Sequence, residues 1–230
     1  MPKFKSFVYK NVKWAKDNEE KSLEVTVVPR KNGHVICSGC HKVAKCYDTQ
    51  KPRWFEFVPL WGYKVFLVYC MRRVNCKNCG IKIEEVPWAT GKQTLTKTYM
   101  NFLSDWARKL SWQEVARSFK TSWQKVFMSV KYIVEWGLQH RDISGVEAIG
   151  VDEIAWRSGH KYLTLVYQID RHCIRLLWIG KDRTVKTFLR FFRQFGPIWS
   201  SRLKYICSDM WKPYLKVIQK KTPQAIHILD

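Results

Sequence analysis

No stretch of the chain approaches 18 consecutive apolar residues, the length that marks a membrane-spanning helix, so no such span and no membrane partner is expected. The N-terminal segment scatters lysines among its apolar residues and lacks the continuous apolar core of a secretory leader, which makes a cytoplasmic protein the expectation. Acidic residues are scarce as well: 19 Asp and Glu stand against 41 Lys and Arg, a net charge of +22. The deficit is not confined to a tail, because residues 1–145 hold 26 basic and 12 acidic side chains and residues 146–230 hold 15 and 7. A basic field of this size attracts polyanions, of which nucleic acid is the commonest in a cell. Charge alone leaves open a merely basic, solvated surface, and it does not separate DNA from RNA. Hydrophobic residues at 46% and aromatics at 15% exclude wholesale disorder. A length of 230 residues allows two or three small domains.

Four of the eight cysteines form two pairs with two residues between the thiols, Cys37-Ser38-Gly39-Cys40 and Cys76-Lys77-Asn78-Cys79. That spacing lets one tight turn aim both sulfurs at one ion, and two such turns complete a tetrahedral four-sulfur site for structural Zn²⁺. Gly80 follows the second pair, where such a turn needs a positive φ. The segment between the pairs reads as two strands, Trp54–Val58 and Tyr63–Tyr69, around Pro59-Leu60-Trp61-Gly62. A hairpin there returns the chain to the first turn. A redox dithiol would carry the motif once, and a cytoplasm disfavours disulfides. Cys46, Cys70, Cys173 and Cys207 read as ordinary buried residues, with His34 and His41 as substitute ligands of lower rank.

From Lys97 to Trp136 the apolar period becomes helical, with Tyr99, Phe102, Leu103, Trp106 and Leu110 at three- and four-residue steps. Ser111-Trp112-Gln113-Glu114 is a capping box. The short helix after it turns Val115, Ala116 and Phe119 inward. Lys120-Thr121-Ser122 makes a turn, and a longer helix from Trp123 is expected to bury Val126, Phe127, Val130, Ile133 and Val134. These are the dimensions of a helix-turn-helix, whose second helix would offer Ser122, Gln124, Lys125 and Met128 to a DNA groove. A plain helical hairpin has the same periodicity.

Beyond Gly145 the pattern becomes β-β-β-α-β-α-β: strands at Val146–Trp156, Tyr162–Asp170 and Ile174–Ile179, a helix carrying Val185, Phe188, Leu189, Phe192 and Phe195, a short strand Tyr205–Ser208, a helix near Trp211–Lys220, and Ala225–Leu229. Arg157-Ser158-Gly159-His160 reads as a turn. This is the order of a ribonuclease H-like fold, in which the first and fourth strands lie side by side and would bring Asp152 and Asp209 together. Adjacent carboxylates repel unless a cation lies between them, and hard oxygen ligands select Mg²⁺ or Mn²⁺. Two such ions can activate the attacking oxygen and stabilise the leaving one in phosphodiester chemistry. Either aspartate alone reads equally as a cap.

Four stretches carry a resemblance: Gly150-Val151-Asp152-Glu153, Gly159-His160-Lys161-Tyr162, Ser208-Asp209-Met210-Trp211-Lys212-Pro213-Tyr214 and Ala225-Ile226-His227-Ile228-Leu229-Asp230. With the two modules before them, they resemble the DDE transposases of the ISL-three insertion-sequence family, from about Val25 to Asp230. Ser38 departs from that family, which often has proline after the first cysteine. The resemblance implies an α/β multidomain protein: a zinc-ribbon domain at 1–92, a helix-turn-helix DNA-binding segment at 93–140, and an incomplete ribonuclease H-like DDE catalytic domain at 146–230. It makes Asp152 the first acid of a catalytic triad and Asp209 the second, and finds no counterpart for the third, a glutamate on a later helix. Asp230 matches a non-catalytic aspartate. Glu153, next to Asp152 on a strand, should face the other way and is an unlikely substitute ligand. The implied function is binding of double-stranded transposon ends, by a homo-oligomer, with metal-dependent cleavage and strand transfer. The alternative is a truncated, catalytically inactive DNA-binding fragment or regulator of transposition, and a metal-dependent nuclease outside mobile elements ranks third.

Overall fold

The computed structural model of the protein describes residues 2–17, 20–159 and 161–229. His160 of the expected turn and the terminal Asp230 lie outside the described residues. The chain forms two compact units, Met1–His140 and Arg141–Asp230. Together they hold two five-stranded sheets and, among the described residues, six helices. None of these helices is long and apolar enough to cross a membrane.

The first unit opens with two strands that the sequence reading missed, β1 (Phe7–Asp17) and β2 (Glu20–Pro29), paired antiparallel with a register shift between Tyr9 and Asn11. The register shift between Tyr9 and Asn11 moves the apolar set of β1 from Phe7 and Tyr9 to Val12 and Trp14 and so breaks its alternation, although the Leu23, Val25 and Val27 set of β2 shows it plainly. β3 (Lys45–Leu60) and β4 (Tyr63–Cys76) are the expected hairpin, longer than read. Trp61 and Gly62 form its two-residue tip, both at positive φ (50° and 79°), the backbone of a turn whose twist matches that of the strands. The sheet order is β1-β2-β4-β3, with β5 (Gly80–Ile83) also on β4. Pro52 sits on the edge strand β3, where the register shifts and the missing N–H costs no ladder bond. Val25, Val27, Phe55, Val65, Leu67 and Tyr69 bury one face, closed by Trp88 edge-on to Phe7 and Tyr69.

Three helices complete this unit: α1 (Lys97–Ala107), α2 (Trp112–Ser118) and α3 (Trp123–His140). Both hydrogen bonds of the Ser111–Glu114 capping box are present, and Lys120 turns the chain at φ 50°. Leu95, Met100, Leu103, Val115 and Val126 form their core. Two expected core residues of α3 are outside it: Phe127 is 40% exposed and Val134 is 53% exposed, while Ser129 is fully buried. A helical period fixes which residues share a face, not how wide the covered stripe is.

In the second unit, β6 (Ala148–Arg157), β7 (Lys161–Asp170) and β8 (Cys173–Lys181) form an antiparallel meander. α4 (Val185–Phe195), the short α5 (Pro197–Ser200), β9 (Tyr205–Ser208), α6 (Lys212–Lys221) and β10 (Ile226–Leu229) follow. Apart from the extra turn α5, this is the order read from sequence. The sheet order is β10-β9-β6-β7-β8, with β9 parallel to both β6 and β10. Ile149 and Val151 of β6 pack with Phe188, Phe191, Phe192 and Tyr214 on one face of the sheet.

Gly180 on β8 has no room for a side chain. An added Cβ would lie 2.1 Å from Trp178 Cη2 and 2.5 Å from Thr187 Cγ2. Neither neighbour is loose, since Trp178 Nε1 donates to Gln194 Oε1 and Thr187 Oγ1 donates to the Lys181 carbonyl. Gly180→Ala is therefore expected to destabilise the second unit by about 1–3 kcal/mol. Urea unfolding followed by fluorescence checks this, and an unchanged midpoint would contradict the crowding.

Candidate metal centres and nucleic-acid interface

The β3–β4 hairpin carries the second cysteine pair back to the first. One sulfur from each of Cys37, Cys40, Cys76 and Cys79 lies within 4.8 Å of the others, the four alternating between buried and half-buried. Tetrahedral Zn–S bonds of about 2.3 Å imply sulfur separations of about 3.8 Å, so the gap suits one such ion. Cys40 Sγ and Cys76 Sγ are 3.5 Å apart. Gly39 is part of the cradle: its backbone N–H donates to Cys37 Sγ at 3.4 Å, and a Cβ there would stand 3.1 Å from Cys79 Sγ. Gly80 adopts φ 69°, as the turn requires. Backbone N–H groups of Asn78 and Cys79, with Cys40 beside them, lower the Cys76 thiol to about 7, while Cys40 as neighbour and burial push Cys79 up to about 12. Cys76 thus holds negative charge more readily than Cys79.

The other cysteines stand apart and are less buried than expected: Cys46 is exposed, and Cys70, Cys173 and Cys207 are half-buried. His34 is exposed. His41 Nδ1 bonds Glu85 Oε2 at 2.7 Å, and neither histidine joins the sulfur group.

On α3, Ser122 and Gln124 are exposed. Ser122 Oγ accepts from the Lys125 backbone N–H at 3.3 Å and so caps the helix start. The Lys125 side chain is not free, because its Nζ lies 2.6 Å from Oε2 of Glu56, a residue of β3 only 4% exposed. Only Gln124 of the three has a side chain with no structural task in these contacts.

Asp152 and Asp209 come from neighbouring strands. β6 and β9 run parallel with Val151 opposite Ser208, the last residue of β9, so Asp152 on β6 and Asp209 just past the end of β9 follow the same paired position. Both are exposed. Asp152 Oδ1 accepts from the Glu153 backbone N–H at 2.7 Å. The Asp209 side chain, 60% exposed, takes Nη2 of Arg183 at 3.1 Å.

Arg183 is the residue that sequence reasoning missed. It follows Asp182, at φ 73°, in the turn between β8 and α4, and its guanidinium lies 4.9 Å over the Trp211 ring. Its Nε stands 3.3 Å from Glu153 Oε1, near enough for charge attraction, though the N–H is not aligned for a hydrogen bond. Glu153 has the parity of Ile149 and Val151 and faces the helices. Its side chain is 9% exposed, whereas Asp152 is exposed, as strand alternation requires. Burial raises the Glu153 carboxyl, Arg183 and a bond from Tyr214 oppose the rise, and the charges of Asp209 and Asp152 add to it. Burial also pushes the Tyr214 hydroxyl, 2.9 Å from Thr164 Oγ1, up to about 12. No signal in the sequence ties a turn arginine to two carboxylates on distant strands.

Residues 149–230 match a family model described as a transposase, of the DDE, ISL-three type. The transposase for insertion sequence element IS1001 of Bordetella parapertussis is 29% identical over 220 residues, covering 95% of this chain and 53% of that protein. The transposase for insertion sequence element IS1557 of Mycobacterium tuberculosis is 25% identical over 234 residues, covering 98% of this chain and 51% of that protein. The chain thus spans about half the length of the curated relatives it matches. The matched segment contains the two neighbouring aspartates, and transposase relatives align along nearly all of the chain, which therefore resembles the transposases of the ISL-three type.

Proposed function

We propose that the chain binds insertion-sequence DNA ends and contributes two acids, Asp152 and Asp209, to a metal-dependent centre for DNA cleavage and strand transfer. The observation that carries this reading is the parallel register of β6 and β9, whose last pair, Val151 and Ser208, is followed on each side by an exposed aspartate. Their donor set suits a hard cation such as Mg²⁺ or Mn²⁺, which when bound polarises phosphodiester oxygens and lowers the pKa of attacking water. The second unit is then a ribonuclease H-like domain. Within it Asp152 and Asp209 hold the ion, Arg183 orients Asp209, and Glu153 anchors Arg183 from the buried side.

The first unit is the DNA-binding part, a zinc ribbon followed by a helix-turn-helix. Structural Zn²⁺ on Cys37, Cys40, Cys76 and Cys79 would tie the two turns together, and Gln124, with Ser122 at the helix start, would face the groove. Such a protein works in the reducing cytoplasm, where the thiols stay available to metal. Pairing of two DNA ends calls for a homo-oligomer.

One observation favours a second reading. Among the described residues, the four cysteines are the one group of three or more ligands close enough to share an ion, so no third acid joins Asp152 and Asp209 within that reach. On that reading the chain binds transposon ends without cutting them and competes with a complete enzyme.

Mn²⁺ binding by electron paramagnetic resonance tests the site independently of catalysis. Asp152→Asn and Asp209→Asn are each expected to weaken binding on the order of 10-fold or more, since even the outer partners of metal ligands are worth that much. Equal Mn²⁺ affinity in all three proteins would remove the metal site. A plasmid strand-transfer assay with Mn²⁺ then separates the two readings: product that disappears in Asp209→Asn supports the enzyme, and no product from a chain that binds both DNA and Mn²⁺ supports the non-cutting binder.

A further inference from the structure

A groove of about 510 Å³ runs beside the cysteine cluster, between the first cysteine turn and the second. Lys42, Lys45, Lys77, Asn75 and Asn78 line it together with Val43, Ala44 and the thiols of Cys40 and Cys76. The three lysines and two asparagines are exposed. Lys45 and Asn75 are direct partners across the β3–β4 ladder, which fixes them side by side. No carboxylate lines the groove.

Several basic residues of the adjoining sheet are paired within the fold. Arg72 pairs with the buried Glu84 at 2.6 Å, Arg73 pairs with Asp48, and Lys13 reaches Glu24 at 3.2 Å. Lys42, Lys45 and Lys77 take part in no ion pair among the described residues. Three like charges around one groove repel each other and gain nothing from within the fold. Two of the nearby sulfurs have backbone amides beside them, Gly39 N–H at Cys37 and the Asn78 and Cys79 amides at Cys76. The asparagine amides add neutral donors between the ammonium groups. Mobile point charges with interleaved amide donors suit successive phosphate oxygens of a nucleic-acid strand, contacts that position a duplex without reading its bases.

From this we infer that the groove formed by Lys42, Lys45 and Lys77 with Asn75 and Asn78 is a phosphate-backbone site for duplex DNA. It rests on the reading of the first unit as DNA-binding and adds a contact surface separate from the groove-facing end of α3.

The test is the salt dependence of binding by the full chain to a fluorescein-labelled duplex of random sequence, with zinc content measured on every variant. Each phosphate contact contributes about 0.9 to the slope of log K against log salt. The triple variant Lys42→Ala, Lys45→Ala, Lys77→Ala is expected to keep its zinc and lose about 2–3 from that slope. The triple Lys→Arg variant, which keeps the charges, should restore it. Retention of the full slope by the alanine variant overturns the site while leaving DNA binding through α3 intact. Loss of zinc in the alanine variant overturns it too, since the lysines would then serve the cluster. No salt-dependent binding by the unaltered chain overturns both this inference and the reading it rests on.

Discussion

A Cys37→Ser variant is expected to bind well under one zinc per chain and to lose the fold of both cysteine turns. The reason lies in what else holds them. The local core is Cys37, Val74 and Cys76, with only Val35, Ala44 and the other two cysteines packed against it. Few apolar contacts remain if the metal tie is lost, whereas structural Zn²⁺ sites in small domains are worth on the order of 10–16 kcal/mol. The rest of the sheet has its own core around Phe55, Leu67 and Trp88 and should survive. Hydrogen exchange should therefore show a sharp boundary. Amides of residues 35–45 and 76–84 become unprotected in the variant or after chelation, while those at the centre of β2 and β4 do not. A serine variant with full zinc and native protection would end the four-sulfur assignment.

Lys125→Met should cost the first unit about 2–3 kcal/mol. Removing one partner of a buried ion pair typically costs about 3–5 kcal/mol, and the lower figure reflects a lysine side chain that is 42% exposed while Glu56 is nearly enclosed. Glu56 also exchanges backbone bonds with Thr94 and Thr96, so its carboxylate cannot easily swing to water. The double variant Glu56→Gln, Lys125→Met should recover part of the loss, because no charge is then stranded. Gln124→Ala, one residue away and fully outside this network, should change stability by less than about 0.5 kcal/mol. Thermal melts of the three proteins decide it; equal melting points for Lys125→Met and the unaltered chain would show the pair to be without weight. Weaker DNA binding by a Lys125 variant therefore says little about groove contacts, and Gln124 is the cleaner probe.

Local features were readable from the sequence. Cysteine spacing, the Ser111–Glu114 box and the hairpin around Trp61-Gly62 each depend on a few consecutive residues, and all appear where expected. The strand order of the second unit was readable because its alternation and helical stretches are distinct, and β9 indeed pairs with β6. What failed was non-local. β1 was passed over because its register shift between Tyr9 and Asn11 breaks the apolar alternation. Phe127 and Val134 were placed inward because periodicity does not count neighbours. The Lys125–Glu56 pair was not foreseen because nothing near Lys125 in sequence reveals Glu56, and Arg183 was invisible for the same reason.

The parallel pairing of β6 with β9 also has a kinetic side. β6, β7 and β8 are hairpin neighbours and can zip together quickly, but Ser208 reaches Val151 only after a helix and more than fifty residues have been laid down between them. Closing so long a loop is slow compared with local pairing. Asp152 and Asp209 are therefore brought level late in folding, and a chain still emerging from the ribosome lacks the register that joins them.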